Sequence, residues 1–358
     1  MGPVCDPSGQ IVNNPTICGG LSRARYGVSM TQQHRSPHAR PTVVLLTADG
    51  VVPPTHLDEL RGLADVRECT ADTLAEALPG AEVLFVWDIF SDALASAWHA
   101  ADALRWVHVA AAGVDTLLFD ELRDSDVLVT NARGVFDGPI AEYVLACVLA
   151  HDKQLHRTEA LQRAGVWRHR ETTRVAGRRA LVVGTGGIGR ATARLLRAVG
   201  VDVRGAGRRA SDDDEDFGVV LDSARLAEHL GDVDHLVMVA PLTEATRGML
   251  GPAELAALPD GAHVINVGRG QLVDQEALTQ EIAAGRLSAH LDVLVVEPLP
   301  GGDPLWTLDG AHVSPHMSGD VVGWRDTLSE QFLHHLRTWA GGGEPGPLVD
   351  KSRGYVSG

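Results

Sequence analysis

Short apolar runs, each followed by turn residues, recur along the chain from Thr42 onward. In the first third of the chain, helix-like segments separate these runs, for example at His56–Leu63 and Thr73–Leu78. This alternation is typical of βα units that build a parallel sheet. The predicted strands of this first series are Val43–Thr47, Val83–Trp87, Trp106–Ala110 and Val127–Thr130.

A second series of the same kind starts at Arg179. Helix patterns such as Arg190–Val199 and Gln275–Ala284 separate its apolar runs. We therefore predict an α/β fold with two Rossmann-like domains, each built on a doubly wound parallel sheet. The predicted strands of the second series are residues 180–183, Val201–Gly205, His235–Val239, His263–Val267, Ser288–Val293 and Ala311–Val313.

Two longer helix patterns bear on the domain organisation. Ile140–Leu155 carries Ala, Leu and Val on most faces, which indicates a helix buried within one domain or one at an interface. A final helix near Arg325–Ala340 is expected to fold back on the first domain. We predict a discontinuous substrate domain of residues 42–133 and 320–345, and a dinucleotide-binding domain of residues 134–319. The apolar side of the final helix, at helical spacing, is formed by Leu328, Phe332, Leu336 and Trp339.

The composition is that of an ordinary globular protein, because 44% of the 358 residues are hydrophobic and 22% are charged. The formal net charge of −16 argues against nucleic acid or an anionic membrane as a partner, since binding a polyanion needs clustered Lys and Arg. No stretch approaches the roughly 18 uninterrupted apolar residues of a membrane helix. The four cysteines show no CxxC spacing and no adjoining His cluster. We therefore expect neither a metal site nor disulfides, and a reducing, cytoplasmic environment.

Residues 1–41 are rich in Pro, Gly, Ser, Asn and Arg and contain no apolar core of a signal peptide. This composition predicts a disordered tail. Met30 begins a more usual protein start, so we interpret residues 1–29 as an over-extended gene start. Peptides from that region in a mass spectrum of the native protein would reject this hypothesis.

A glycine fingerprint, Gly184-Thr185-Gly186-Gly187-Ile188-Gly189, follows the strand-like run at 180–183. The first glycine allows a tight turn, the second lets a pyrophosphate approach the backbone, and the third permits close packing of helix on strand. The helix that starts near Ile188 would offer its free N–H groups to the phosphates. The order strand, loop, helix, strand favours dinucleotide binding over a glycine-rich structural turn.

The end of the next predicted strand bears on cofactor specificity. An NAD site has an acidic residue there for the ribose 2′-hydroxyl, but this chain has Gly207 followed by Arg208 and Arg209. Arginine binds phosphate in a bidentate manner, so we predict NADP(H), with NAD as the alternative. The acidic run Asp212–Asp216 would repel a 2′-phosphate if it folded inward, and we interpret it as a solvated loop.

Arg269, Glu297 and His316 each come just after a predicted strand of the second series. In an open α/β sheet, ligands bind beyond the carboxyl ends of the strands, so these groups should converge on the bound cofactor. Reduction of a 2-oxo acid needs a cation for the carboxylate, which Arg269 supplies, and a proton donor, for which His316 is suited. Glu297 would favour the charged imidazolium by hydrogen bonding to it. Asp292, at the end of its strand, would accept from the nicotinamide carboxamide.

At these residues the chain resembles the D-isomer-specific 2-hydroxyacid dehydrogenases, over roughly residues 42–340. The resemblance implies a homodimer of two-domain subunits with the active site in the cleft between the domains. It also implies that Arg269, Glu297 and His316 are the catalytic set. The matching stretches are Ala112-Gly113-Val114-Asp115, Val129-Thr130-Asn131, Ala141-Glu142, the glycine fingerprint, Ala240-Pro241-Leu242-Thr243, Thr246-Arg247-Gly248, Asn266–Asp274, Asp292–Pro300 and Pro315-His316.

The resemblance further implies that the backbone N–H groups of Ala112 and Gly113 bind the substrate carboxylate. Two departures matter: Ala111 replaces the usual Ser, and the acidic ribose ligand is absent, which is similar to the NADPH-preferring glyoxylate/hydroxypyruvate reductases. Trp87 resembles an aromatic residue of the substrate pocket in that group, with core packing as an equal alternative. The predicted cofactor-binding residues are Gly184, Gly186, Gly187, Ile188, Gly189, Gly207, Arg208, Arg209, Ala240, Pro241, Thr246, Val267, Gly268 and Asp292.

The function predicted from these features is an NADP(H)-dependent reductase of small 2-oxo acids such as glyoxylate or hydroxypyruvate. One alternative is a D-2-hydroxyacid dehydrogenase for a larger, specialised acid, including a phosphoglycerate dehydrogenase-like enzyme. Another is a nucleotide-sensing corepressor on the same fold. Rates over a panel of 2-oxo acids distinguish these alternatives.

Overall fold

The structure is a computed structural model that describes residues 40–356. The tail predicted for residues 1–41, including the proposed start at Met30, lies almost wholly outside the described residues. Two separate sheets, one of five strands and one of eight, form the framework of the described chain. No helix among residues 40–356 is both long and apolar enough to cross a membrane.

The first sheet is parallel throughout, with strand order β2-β1-β3-β4-β5. Its inner strands are apolar runs that are buried on both faces, as expected for a parallel sheet with helices on each side. The edge strand β2 was not predicted, because most of its side chains are exposed and it has no apolar run. The strands are β1 (Thr42–Leu46), β2 (Asp65–Cys69), β3 (Val83–Val86), β4 (Trp106–Val109) and β5 (Leu128–Asn131).

Short helices connect the strands of the first sheet, and several are extended by a single 3₁₀ turn. Each covers the sheet with only one or two buried side chains, for example Leu60, Leu94 and Leu122. The helices are α1 (Leu57–Leu63), α2 (Leu74–Ala77), α3 (Ala93–Ala97) and α4 (Asp120–Asp124), with 3₁₀ turns at Ala71–Thr73 and Trp98–Ala100.

The second sheet has the strand order β13-β12-β11-β10-β6-β7-β9-β8. All neighbouring strands are parallel except β8, which runs antiparallel to β9. The chain reverses its direction of strand addition at β6, and this reversal creates the crevice in which such sheets bind ligands. The strands are β6 (Arg179–Val183), β7 (Asp202–Gly207), β8 (Ser211–Asp214), β9 (Gly218–Asp222), β10 (His235–Met238), β11 (His263–Asn266), β12 (Ser288–Leu291) and β13 (Ala311–Val313).

The acidic run Asp212–Asp216 is not the solvated loop that the sequence predicted. It forms most of β8 and the following turn, and two of its carboxylates turn back onto the helix after the glycine fingerprint. Arg190 binds Asp214 through two hydrogen bonds of 3.0 Å, and Arg190 and Arg194 both bind Asp216 at 2.9 Å. Two of the acidic residues, Asp214 and Asp216, are thus neutralised by arginines, although the composition of the segment predicts a solvated loop.

The helices of the second half follow the predicted pattern with one break. The long predicted helix Ile140–Leu155 ends earlier, because Gln154 adopts a left-handed conformation (φ 49°) and a new helix starts at Leu155. The helices are α5 (Asp137–Asp152), α6 (Leu155–Arg163), α7 (Gly187–Ala198), α8 (Pro252–Ala257), α9 (Gln275–Ala283) and α10 (Trp324–Ala340), with 3₁₀ segments at Ser223–His229, Gly270–Leu272 and Pro304–Trp306.

The final helix α10 packs against the first sheet, although it follows the second sheet in sequence. The ring of Phe332 stacks on Phe85 with centroids 3.8 Å apart and lies 5.4 Å from the ring of Trp106. After the helix, Leu348 pairs with Thr130 at the edge strand β5. These contacts fit the discontinuous substrate domain, whose boundaries at 133/134 and 319/320 stay a prediction.

Candidate active site

Six neighbouring strands of the second sheet, β7, β6, β10, β11, β12 and β13, are parallel and end at the same edge. Because strands in a sheet lie about 4.8 Å apart, this edge extends over roughly 24 Å. Each strand is followed by predicted site residues. Along the edge these are Gly207–Arg209, the glycine fingerprint, Ala240-Pro241, Val267–Arg269, Asp292 and His316.

The glycine fingerprint connects β6 to α7 with the geometry that dinucleotide binding requires. Gly184 has φ 118°, and a Cβ there would lie 2.7 Å from the backbone nitrogen of Ala240. A Cβ on Gly189 would lie 1.9 Å from the carbonyl oxygen of Gly184, so the helix packs on the loop without room for a side chain. A Cβ on Gly186 would meet no atom within 4 Å. The space above Gly186 is therefore open for a ligand at the start of α7.

These glycines give a pair of substitutions of which one should mainly lower stability and the other mainly weaken ligand binding. Gly189→Ala should lower the free energy of unfolding by about 3 kcal/mol, because its methyl group overlaps a backbone carbonyl. Gly186→Ala should cost less than about 1 kcal/mol, since its methyl group enters open space. It should nevertheless weaken binding of the dinucleotide at least 10-fold by occupying the path of the pyrophosphate. Urea unfolding and fluorescence titration measure the two effects, and equal stability losses would contradict the assignment of roles.

The loops after β10 and β11 hold the next predicted cofactor residues. The hydroxyl of Thr246 donates to the carbonyl oxygen of Pro241 (2.7 Å) and accepts from the N–H of Thr243 (2.8 Å), which closes the loop that starts at Ala240. Val267 is buried, and its N–H donates to the carbonyl of Met238. The structure thus gives Thr246 an internal partner, and its contact with the cofactor stays a prediction.

Arg269 projects from the end of β11 toward the loop after β4 of the first sheet. Its Nε donates to both carboxylate oxygens of Asp115 (3.1 and 3.2 Å), and one Nη lies 3.1 Å from the same carboxylate. A Cβ on Gly113 would lie 1.9 Å from an Nη nitrogen of Arg269. The guanidinium therefore covers the turn whose N–H groups are predicted to bind the substrate carboxylate. Asn266 fixes the arginine backbone by donating to its carbonyl (2.9 Å).

His316 adopts a left-handed backbone conformation (φ 52°), which is rare for a residue with a side chain. Asp292 maintains this conformation: its carboxylate accepts from the hydroxyl of Ser314 (2.5 Å) and from the N–H groups of Met317 and Ser318 (2.9 Å each). The carbonyl of Asp292 accepts from the N–H of His316 (2.8 Å). Asp292 is thus engaged in holding the histidine loop, and its predicted contact with a carboxamide stays a prediction.

Glu297 and His316 form a direct pair. Nδ1 of His316 lies 2.8 Å from Oε2 of Glu297, and since a carboxylate only accepts, Nδ1 carries the proton. The other carboxylate oxygen accepts from the N–H of Leu294 (2.8 Å). Partial burial raises the pKa of Glu297, but the hydrogen bonds from His316 and Leu294 and the charge of Arg269 outweigh it, so the net pKa is lowered. The carboxylate is therefore charged at neutral pH, and Nε2 of the imidazole is left for a substrate.

The two aromatic residues after β3 have different positions. Trp87 is only 5% exposed and lies in the core, where its ring nitrogen donates to the carbonyl of Val52 (2.7 Å). This position matches the core-packing alternative for Trp87 and gives no support to a substrate contact. Phe90 is 63% exposed, and its ring meets the imidazole of His316 edge-on with centroids 5.6 Å apart. Phe90 was not predicted, because no strand or motif marks its loop.

The arrangement joins groups from both sheets. Arg269 and the Ala112-Gly113 turn supply N–H donors for a carboxylate, and the Glu297–His316 pair, whose carboxylate is influenced by the charge of Arg269, supplies a proton donor. A glycine loop with open space above it lies on the same strand edge. Together these groups can bind a carboxylate, deliver a proton to a carbonyl oxygen and hold a dinucleotide.

Comparison with known proteins agrees with this chemistry. The sequence model of the D-isomer specific 2-hydroxyacid dehydrogenase NAD binding domain matches residues 145–318. A D-isomer specific 2-hydroxyacid dehydrogenase structure from Xanthobacter autotrophicus Py2, in complex with NADPH and MES, is similar with 32% identity and a TM-score of 0.75. That similarity covers 88% of this chain and 100% of the other. The chain belongs to the D-isomer specific 2-hydroxyacid dehydrogenase family. As a D-2-hydroxyacid dehydrogenase, it is an oxidoreductase of the CH–OH group that uses a nicotinamide cofactor.

Relatives of this dehydrogenase differ in the acid that their names give. The glyoxylate reductase of Korarchaeum cryptofilum is 30% identical over 265 residues, which are 72% of this chain and 79% of that protein. The (S)-sulfolactate dehydrogenase of Chromohalobacter salexigens is 31% identical over 219 residues, which are 60% of this chain and 71% of that protein. Family membership therefore establishes the reaction type and leaves the substrate to be proposed.

Asp115 and Ser314 are further site residues of the dehydrogenase that sequence reasoning gave no role. Asp115 belongs to the stretch Ala112-Gly113-Val114-Asp115, which matches the family. It is a polar residue shortly after a buried strand, and the same feature identified Arg269 as a candidate. Ser314 bridges Asp292 and the hydroxyl of Tyr143 on α5 (2.6 Å), a contact between residues far apart in sequence. Only the fold brings these groups together.

Proposed function

We propose that this dehydrogenase is an NADP(H)-dependent reductase of small 2-oxo acids such as glyoxylate or hydroxypyruvate. The observation that carries the proposal is the convergence of the Glu297–His316 pair with Arg269, which covers the Gly113 turn. The guanidinium and the turn bind the carboxylate of the acid and place its keto oxygen near Nε2 of His316. The nicotinamide supplies the hydride when the cofactor is bound.

In this proposal each residue acts through a defined atom. Nε2 of His316 protonates the oxygen that becomes the hydroxyl group, while Glu297 holds Nδ1 and stabilises the imidazolium. Asp115 is a positioning residue, because it fixes the plane of the Arg269 guanidinium through Nε and one Nη. Phe90, edge-on to the imidazole, covers the histidine from the side of the first sheet and reduces the room for a long substrate.

Three features support NADP(H) over NAD(H). The acidic residue that binds a ribose 2′-hydroxyl is replaced by Gly207, and the exposed Arg208 and Arg209 follow it. The nearby carboxylates of Asp214 and Asp216 are bound to arginines of α7, which weakens their repulsion of a phosphate. The similar structure from Xanthobacter autotrophicus contains NADPH.

The cofactor preference is tested by steady-state rates with NADPH and NADH on glyoxylate, hydroxypyruvate and larger 2-oxo acids. We expect Arg208→Ala combined with Arg209→Ala to raise the KM for NADPH about 10- to 100-fold, because each charged hydrogen bond to phosphate contributes about 1.5–3 kcal/mol. The KM for NADH should change less than about 2-fold, since that cofactor has no 2′-phosphate.

Arg163→Ala is the matched control, because Arg163 is an exposed arginine on α6 that binds Glu159. It should leave both KM values unchanged. A parent enzyme that prefers NADH would refute the cofactor proposal, and turnover restricted to larger acids would refute the substrate proposal.

The proposal includes a homodimer in the cytoplasm, as the family resemblance implies. The two cysteines within the described residues, Cys69 and Cys147, are buried free thiols, which a reducing compartment accommodates. Sedimentation equilibrium of the full chain tests the oligomeric state, and a monomer at micromolar concentration would contradict it.

A further inference from the structure

Six histidines lie together on and beside the second sheet, and the proposed reaction uses none of them. The parallel pairing places His235 directly opposite His263, and His290 directly opposite His312. His290 lies opposite Ile265, two residues after His263, so side chains at these positions share one face of the sheet. This histidine cluster consists of His151 on α5, His156 on α6, and His235, His263, His290 and His312 on strands β10 to β13.

Three members of the cluster present ligand atoms to a common point. The ligand nitrogens of His156, His290 and His312 all lie within 4.8 Å of one another, and the two Nε2 atoms of His156 and His290 are 3.0 Å apart. Two imidazole nitrogens on a tetrahedral zinc ion are about 3.3 Å apart, given zinc–nitrogen bonds of 2.0–2.1 Å. The spacing of the first pair is close to this value, and the ligand nitrogen of His312 lies within 4.8 Å of both.

The other members of the cluster continue behind His290 as a hydrogen-bonded chain. Nδ1 of His290 lies 2.7 Å from Nε2 of His263, and Nδ1 of His263 lies 3.1 Å from Nδ1 of His235. Nε2 of His235 is 3.5 Å from a carboxylate oxygen of the buried Asp152. One proton on each ring satisfies the two links between the imidazoles and leaves the lone pair of His290 Nε2 directed toward His156, while His235 makes only an electrostatic contact with Asp152. Such backing by a second imidazole and a carboxylate is typical of metal-ligating histidines.

Burial favours the neutral imidazole at three of the four strand positions, His263, His290 and His312. Burial, reinforced by the neighbouring imidazoles, lowers the pKa of His290 to about 2 and that of His312 to about 4. The same causes lower the pKa of His263 well below its ordinary value. Neutral imidazole is the form that binds a metal ion.

The chain path delivers His156 to this point. Gln154 ends α5 in a left-handed conformation that is unfavourable for a residue with a side chain. Arg170 stabilises the turn by donating to the side-chain and backbone oxygens of Gln154 (2.9 and 3.0 Å). The turn starts α6 in a new direction and stacks the exposed His156 on His312 with ring centroids 3.6 Å apart.

We propose that His156, His290 and His312 bind a divalent transition metal ion such as Zn²⁺, with the fourth position open to water. Three imidazole ligands with an open position are a known zinc arrangement, and imidazole suits this class of metal. The ion links α6 to strands β12 and β13. This proposal reverses the sequence-based expectation of no metal site, which considered the cysteines and histidines adjoining them, and it does not depend on the proposed reaction.

The test uses the full chain without a histidine tag, stripped of metal with a chelator and dialysed. Calorimetric titration with Zn²⁺ should show one ion per chain, and Zn²⁺ should raise the melting temperature. His156→Ala and His312→Ala should each weaken Zn²⁺ binding about 100-fold or more, since each removes one of three ligands. Co²⁺ added to the parent should give the visible absorption of a tetrahedral site, and this absorption should be absent from both variants.

His99→Ala is the matched control, because His99 is an exposed histidine beside the first sheet. It should bind Zn²⁺ as the parent does. Circular dichroism of the metal-free variants shows that they are folded, which is expected at least for the exposed His156. The proposal is overturned if the parent binds no stoichiometric Zn²⁺, if both cluster variants bind it as tightly as the parent, or if His99→Ala weakens binding equally.

Discussion

Replacing His316 with alanine should lower kcat for reduction of the 2-oxo acid by about 10²- to 10⁴-fold, the range that a positioned proton donor contributes. The imidazole is the proton donor held at the substrate by the Glu297 carboxylate, and alanine leaves no group to take its place. The glycine loop lies on a different strand, so the affinity for NADPH should change less than about 2-fold. The decrease in NADPH absorbance measures kcat, and NADPH fluorescence measures the affinity.

Glu297→Gln tests the contribution of the carboxylate charge to the same proton transfer and should have a smaller effect than His316→Ala. Glutamine still accepts a hydrogen bond from Nδ1 but carries no charge to stabilise the imidazolium. The kcat/KM for reduction at neutral pH should therefore fall about 10-fold, because the charged proton donor loses its supporting carboxylate. His99→Ala controls for loss of an imidazole elsewhere. Parent-like rates for both His316→Ala and Glu297→Gln would remove the pair from the proposed chemistry.

Most parts of the site that the sequence predicted share one property: they lie in the loops that follow parallel strands of the second sheet. The apolar run of β11 marks the position of Arg269, and the run of β6 marks the glycine loop. Because parallel strands end at one edge, order along the sequence was enough to predict convergence. The fold class and the family followed from these local signals and are confirmed by the comparisons.

The parts that the sequence did not predict depend on contacts between distant segments. Strand β2 is an exposed edge strand whose alternation of polar residues resembles a loop. Strand β8 is made of aspartates, which are poor strand formers, and it is held because Arg190 binds Asp214 across 24 residues. Neither strand β2 nor strand β8 has a hydrophobic periodicity in its own sequence, because the residues that stabilise each strand lie on other elements.

Trp87 and Phe90 show the same limit at the scale of a single side chain. Both are aromatic residues shortly after β3, and the sequence favoured the one that matches a family position. Trp87 packs against Phe85 with ring centroids 5.6 Å apart and therefore lies in the core. The loop that follows carries Phe90 to His316. The conformation of the short loop between Trp87 and Phe90 decides which ring lies beside His316. The hydrophobicity of the two residues does not reveal this conformation.

The histidine loop illustrates how one buried carboxylate can organise a site. Sequence reasoning assigned Asp292 to the cofactor because it ends a strand. In the structure its carboxylate accepts from Ser314, Met317 and Ser318, and these bonds hold His316 in a left-handed conformation. Such conformations cost about 1–3 kcal/mol and persist only where the surroundings impose them. The position of the imidazole therefore depends on Asp292 as much as on Glu297.

Replacing Arg269 with lysine should lower kcat/KM for glyoxylate by about 10²- to 10³-fold, although the positive charge is kept. The planar guanidinium binds Asp115 through Nε and one Nη and the carbonyl oxygen of Gly268 through the other Nη (2.7 Å). One N–H on each Nη is left for the substrate, and an ammonium group cannot make all these contacts. Loss of about two charged hydrogen bonds accounts for this range. Steady-state kinetics with saturating NADPH measure it, and the affinity for NADPH should stay within about 2-fold of the parent.

Two substitutions in the loop after β4 distinguish the positioning of the Arg269 guanidinium from its binding of the substrate. Gly113→Ala places a methyl group where an Nη nitrogen of Arg269 lies, and the flexible end of that side chain must move away. Asp115→Asn removes the carboxylate charge that holds the same guanidinium, while the guanidinium itself stays charged. Both should raise the KM for glyoxylate about 10-fold and change kcat less than Arg269→Lys does, because the arginine remains present but is less well oriented. If both variants keep the KM of the parent, the guanidinium does not bind the acid from its position above this turn. The substrate carboxylate would then have to be held by other groups of the cleft.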